Sequence, residues 1–236
     1  MFLPISLLIY YISPKKFRNC ILFVVSLIFY AWGEPIYIFL MIATIVFDYF
    51  MALKIDKYKS KPKKSKLLFI FTIIVNISIL VFFKYIGFLL VNINNIFSLN
   101  ISFDELALPV GISFYTFQVL SYIVDVYLER VNVQRNFISF GTYVTMFPQL
   151  IAGPIVQYES IEKQLINRKE SIDLFGEGVE RFIKGLAKKV LLANNIGILW
   201  TTISSMDINS ISVLTSWIGI VAYTFQIYFD FSAYSD

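Results

Sequence analysis

Histidine is absent from the 236 residues, and cysteine occurs once, at Cys20. Without them the chain has no Cys/His metal site, so no metal is expected within it, no internal disulfide and no imidazole for general acid–base chemistry. Charge is scarce as well, at 15% of residues against roughly 25% in an average soluble domain, which excludes a disordered chain and an ordinary soluble enzyme. The net charge of +4 does not describe a nucleic-acid surface, because the basic residues sit in short loops between apolar blocks. Apolar residues are what the chain has: 58% hydrophobic, 18% aromatic, with a mean hydropathy of +0.71. They fall in blocks of roughly one to two dozen, the pattern of an all-α polytopic membrane protein; a β-barrel would alternate apolar and polar residues instead.

The first block, Met1 to Ser13, is short for a crossing and is expected to be the tail of a span whose beginning is missing. Its charges, Lys15, Lys16 and Arg18, follow it, so it does not read as a signal peptide. Cys20–Trp32 and Ile36–Leu53 read as two crossings joined by a tight turn at Gly33-Glu34-Pro35. Seven lysines between Lys54 and Lys66 form the most basic stretch. Two crossings separate it from the loop 15–18, so both basic loops share one side, which the positive-inside rule makes the cytoplasm. Contact of the lysine run with anionic lipid is compatible with that orientation. Leu67–Val91 is long enough to lead out, a polar segment from Asn92 to Glu105 lies outside, and Leu106–Leu128 leads back in to Glu129, Arg130 and Arg135.

The block Phe137–Tyr158 holds Pro148 and Pro154 with Gly153 between them. A proline removes a backbone donor and clashes with the carbonyl four residues back, so one straight helix is excluded. Irregular backbone at membrane depth is tolerated where protein or a wet cavity covers it. A re-entrant or broken helix lining a cavity is expected, with Gln149 in the break; a kink in a packed helix is the alternative. Leu174–Asn194 carries Phe175, Val179, Phe182, Ile183, Leu186 and Val190 on one stripe and Glu177, Arg181, Lys184 and Lys188 on the other, which reads as an amphipathic helix at the membrane interface or, alternatively, as one packed at the cytoplasmic rim of the bundle. A short crossing near Val190–Ile203 and a last one over Ile211–Phe229 complete a single membrane domain, 1–236, expected to be incomplete.

Polar residues inside spans carry the functional expectation. Tyr115, Gln118, Tyr122 and Asp125 form one stripe, and Tyr223, Gln226, Asp230 and Tyr234 form another. Interhelical hydrogen bonds, worth roughly 1 kcal/mol each in membranes, would explain Gln118 or Tyr122 singly. Two such stripes and a proline-broken segment favour a polar internal cavity.

The strings SLIFYAWGEP (26–35), LPVGISFYTFQVLSYIVDVY (108–127), MFPQLIAGPIVQY (146–158), GLAKKVLLANN (185–195) and YTFQIYFDFSAYSD (223–236) resemble the membrane-bound O-acyltransferases. The similarity is to the branch of alginate O-acetylases and related cell-surface polysaccharide O-acetyltransferases, in order and over nearly the whole chain. It implies a helix bundle around a tunnel that passes an acyl group from a cytoplasmic thioester, acyl-CoA or an acyl carrier, to a hydroxyl. The acceptor would be a polysaccharide such as alginate or a related polymer, reached directly or through an extracytoplasmic acetyltransferase partner, and no bound cofactor is implied. The family's essential histidine lies downstream of the last matching segment, so the chain is expected to be an N-terminal fragment, inactive alone. Gln118, Tyr122, Pro148, Gln149, Gly153, Pro154, Gln226 and Asp230 are thereby candidates for tunnel-lining or architectural roles. A non-enzymatic transporter or flippase subunit, which would use the same polar stripes and helix break, is the alternative.

Overall fold

The computed structural model describes residues 2–99, 101, 107–150, 153, 155–207 and 211–236. The described residues are helical, without a strand, and divide into two compact units, Met1–Arg168 and Lys169–Asp236. Three segments, Lys15–Gly33, Ile38–Lys57 and Pro62–Phe97, are long and apolar enough to cross a membrane.

In the first unit, α1 (Phe2–Ile12) leads through a 3-10 turn at Lys15–Phe17 into α2 (Arg18–Gly33). α3 (Ile38–Lys57) follows the Gly-Glu-Pro turn. α4 (Pro62–Phe97) starts inside the lysine run rather than after it, because Pro62 occupies the first turn, where its missing N–H costs nothing, and lysine is a good helix former. Its 36 residues measure about 54 Å, well beyond an apolar bilayer core of about 30 Å. α5 (Ile112–Tyr127) is shorter than the span expected from Leu106: Pro109 and Gly111, whose φ of 76° is left-handed, hold the chain out of a helix until Ile112. Asp104 and Glu105, expected outside, lie among residues that are not described. α6 (Phe137–Thr145) and α7 (Tyr158–Ile166) flank the proline break, so the block Phe137–Tyr158 is not one helix.

α3 packs on α4 and α5, and α2 packs on α6. Met41, Ile45, Ile55, Ile112, Ile123, Phe140 and Val144 form the dry centre. At the α2–α6 crossing a Cβ on Gly141 would fall 2.6 Å from the Phe23 ring, so the helices approach as closely as they do because residue 141 is glycine.

In the second unit the helical path runs from α8 (Ile172–Ala187) through a π-helical segment, Lys188–Ala193, into α9 (Asn194–Ser204). Ser171 caps α8 by accepting from the Leu174 N–H at 3.2 Å. The expected amphipathic helix and the short crossing near Val190 are therefore one continuous helical run. α10 (Val213–Ser235) packs against α8, the π segment and α9.

Candidate functional site

The proline break is built from backbone outward. Asn136 caps α6 by accepting from the Ser139 N–H at 3.1 Å. Pro148 restricts the residue before it, and the helix ends at Thr145. In an uninterrupted helix the Phe147 N–H would donate to the Tyr143 carbonyl; here it donates to Ser26 Oγ on α2, at 3.2 Å. The Tyr143 carbonyl is left over, and two glutamines supply what it lacks. Gln118 Nε2 donates to it from α5 at 2.8 Å, and Gln149 Nε2 from the break itself at 3.1 Å. The Gln149 N–H donates to Met146 O, and the Gly153 N–H to Gln149 O, so the break is a compact turn. A Cβ on Gly153 would lie 2.7 Å from Gln149 Cα and 2.9 Å from its carbonyl oxygen, which leaves glycine as the residue that fits. Pro154 lies outside the described residues.

Around this turn the α5 stripe points inward: Tyr115, Gln118 and Tyr122 are all at least 96% buried. The Tyr143 hydroxyl faces the Gln118 and Val156 carbonyls at 3.3 and 3.0 Å. Tyr122 accepts from the Gln134 N–H at 2.8 Å, and Gln134 Nε2 donates to the Tyr158 hydroxyl at 2.9 Å. The rings of Tyr122, Tyr143 and Tyr158 pack with centroids 4.8 to 6.2 Å apart. Asp125, last of the stripe, sits 3.7 Å from Arg130 at the helix end. The hydroxyls of Tyr30 and Tyr115 are buried without a hydrogen-bond partner. Gln118 and Gln149 thus complete a severed helix end, while Tyr122 and Tyr158 hold the segment between α5 and α6.

The second stripe belongs to the other unit. Asp230 is ion-paired with Lys189, and Asp236 with Lys188, whose Nζ also donates to Ser232 Oγ at 3.1 Å. Neighbouring residues of an α-helix point about 100° apart at 3.6 residues per turn, and the wider π turn narrows that angle, so Lys188 and Lys189 both reach α10. Sequence patterning missed this: the partners stand 41 and 48 residues apart, and nothing local marks a π turn. Gln226 lies over Gly197, where a Cβ would come 2.9 Å from its amide nitrogen; its Oε1 is buried without a hydrogen-bond partner. Beside it, α9 and α10 bound an open apolar cleft of about 360 Å³, walled by Ile196, Leu199, Trp217, Ile218, Val221 and Phe225. Among the described residues no group of three His, Cys, Asp or Glu side chains could hold a metal ion.

Comparison with known proteins agrees with the motif reading. The chain is 38% identical over 240 residues to the probable alginate O-acetylase of Pseudomonas syringae pv. tomato, covering 100% of this chain and 46% of that protein. It is 35% identical over 243 residues to the probable alginate O-acetylase of Pseudomonas aeruginosa, with coverage of 100% and 46%. The peptidoglycan O-acetyltransferase of Helicobacter pylori is 34% identical over 267 residues, with coverage of 100% and 50%. No family profile and no solved structure matches. From end to end, then, the chain is homologous to bacterial polysaccharide O-acetyltransferases, and it spans about half the length of the curated relatives it matches.

Proposed function

We propose that this chain is part of a membrane O-acyltransferase that moves an acetyl group from a cytoplasmic thioester, acyl-CoA or an acyl carrier, to hydroxyls of a cell-surface polysaccharide. The observation that carries this reading is the end-to-end similarity to relatives named for O-acetylation of alginate and of peptidoglycan. The setting is a bacterial plasma membrane, crossed several times, with the basic segments 15–18 and 54–66 in the cytoplasm. The proline break is compatible with the reading, because irregular backbone at membrane depth needs its freed groups satisfied by protein, and here Gln118 and Gln149 both donate to the Tyr143 carbonyl.

Acyl transfer to a hydroxyl needs a base for the hydroxyl proton, a contribution of roughly 10²–10⁴ in rate. Histidine is the usual group, and this sequence has none. The residues described here therefore hold, orient and insulate; the base comes from elsewhere in the enzyme. An extracytoplasmic acetyltransferase that receives the group and passes it to the polymer is a partner of the same scheme.

Deleting the gene and measuring polysaccharide O-acetyl esters by NMR tests the proposal. Loss of the ester signal is expected; an unchanged ester content overturns it. Membranes holding this chain alone should transfer no label from acetyl-CoA, and turnover by them would overturn the assignment of the base.

A further inference from the structure

Asp48 stands near the middle of α3, about 14–15 Å from either end at 1.5 Å per residue, and is 0% exposed. Its partner is Asn76 of α4, 1% exposed, whose Nδ2 donates to Asp48 Oδ1 at 2.7 Å. The other hydrogen of that amide goes to the Thr72 carbonyl at 3.0 Å. A backbone carbonyl only accepts, so this second bond fixes which end of the amide is nitrogen. Two atoms of the pair then remain, Asp48 Oδ2 and Asn76 Oδ1, both buried and both without a partner. Each is an acceptor when Asp48 is ionised, and two acceptors cannot satisfy one another.

Among the described residues no other group supplies the missing donor. Thr44, one turn before Asp48, gives its hydroxyl to the Leu40 and Met41 carbonyls at 2.7 and 3.0 Å. Thr72, one turn before Asn76, gives its hydroxyl to the Leu68 carbonyl at 2.8 Å. Among the described residues Asp48 makes no ion pair and no hydrogen bond other than that with Asn76. The ionisable groups around it sit elsewhere. α3 carries Tyr49, bonded to the Arg135 carbonyl, then Lys54, exposed and about 9 Å further along the axis, Asp56 and Lys57. α4 carries Lys63, Lys64, Lys66, Lys84 and Tyr85, of which Lys84 is the nearest to Asn76 in sequence, about 12 Å along the axis. α5 brings Tyr115, Tyr122, Asp125 and Tyr127, α6 brings Tyr143, and α2 brings Arg18, Cys20 and Tyr30.

We propose that Asp48 is a proton-binding site: its carboxyl is held as the neutral acid, with Oδ2–H donating to Asn76 Oδ1 and closing a two-hydrogen-bond ring between α3 and α4. One proton satisfies both orphaned oxygens at once. It also removes the cost of a lone carboxylate at mid-membrane, which is severe without a countercharge. The proton comes from water as the helices assemble, and no other reactant is involved. The pair is then a neutral fastener rather than a relay, and it stands independently of the acetyl-transfer reading.

The test is infrared spectroscopy of the full chain in lipid near neutral pH, with Asp48→Asn as the reference. The wild type should show the carbonyl stretch of a protonated carboxylic acid, and Asp48→Asn should lose it. An amide at residue 48 keeps both bonds of the ring, so Asp48→Asn should melt where the wild type does, whereas Asp48→Ala should melt lower. Absence of the acid band overturns the proposal, as does failure of Asp48→Asn to fold. A sodium-dependent rise in the melting temperature that Asp48→Asn abolishes also overturns it, since the oxygens would then hold a cation.

Discussion

Single side chains divide here into those that can yield and those that cannot. Gly153→Ala drives a methyl into the backbone of Gln149, 2.7 Å from its Cα, and backbone cannot swing away. A loss of about 2 kcal/mol is expected, in the range for overpacking, read as a lower unfolding midpoint. Gly197→Ala meets the far end of the Gln226 side chain at 2.9 Å, so its cost should be smaller, and Gln226→Ala in the same chain should remove it. Lys189→Met strands the Asp230 carboxylate. Both groups are a third to a half exposed, so the pair is worth only about 0.5–1 kcal/mol. The double variant Lys189→Met/Asp230→Asn should recover what Lys189→Met loses; if the two losses simply add, the ion pair contributes nothing. Asp230 was legible in the sequence as a charge between Phe229 and Phe231. Its lysine was not, because a pair made across 41 residues leaves no local pattern.

Helices were legible wherever chain chemistry changes abruptly. Gly33-Glu34-Pro35 separates α2 from α3 within one or two residues of the expected limits, and Pro148 cuts the block Phe137–Tyr158 as its ring chemistry requires. Gradual changes misled. The run from Lys54 to Lys66 reads as loop by charge, yet Pro62 opens α4 within it; the expected crossing from Leu106 loses its first turn to Pro109 and Gly111. The π segment escaped because KKVLLA is ordinary helix sequence; in the structure it packs on α10. α8 keeps Gly176 and Gly178 in its interior, with nothing within 4 Å of where a Cβ would stand. Each should cost about 1 kcal/mol of helix stability relative to alanine. Gly176→Ala and Gly178→Ala are therefore expected to raise the helical signal in circular dichroism and the unfolding midpoint. A fall in either would show that α8 needs close approach by a surface that its glycines admit.

At the scale of the whole molecule, orientation is decided by where lysine and arginine collect. α2 and α3 are long and apolar enough to cross, and two successive crossings would put the segments at their outer ends, 15–18 and 54–61, on one side; both are basic, while the turn between them carries only Glu34. Moving lysines across a bilayer is costly, so the proposed orientation keeps the basic ends where the chain was made. Cysteine economy makes this directly measurable. In a Cys20→Ser background, Lys16→Cys, Pro35→Cys and Lys61→Cys each give one thiol at an exposed position. A membrane-impermeant maleimide should label Pro35→Cys in intact spheroplasts, and should reach Lys16→Cys and Lys61→Cys only after lysis. Labelling of residue 16 and residue 61 on opposite sides would break the pairing of α2 and α3 as successive crossings. Labelling of both from outside would invert the chain.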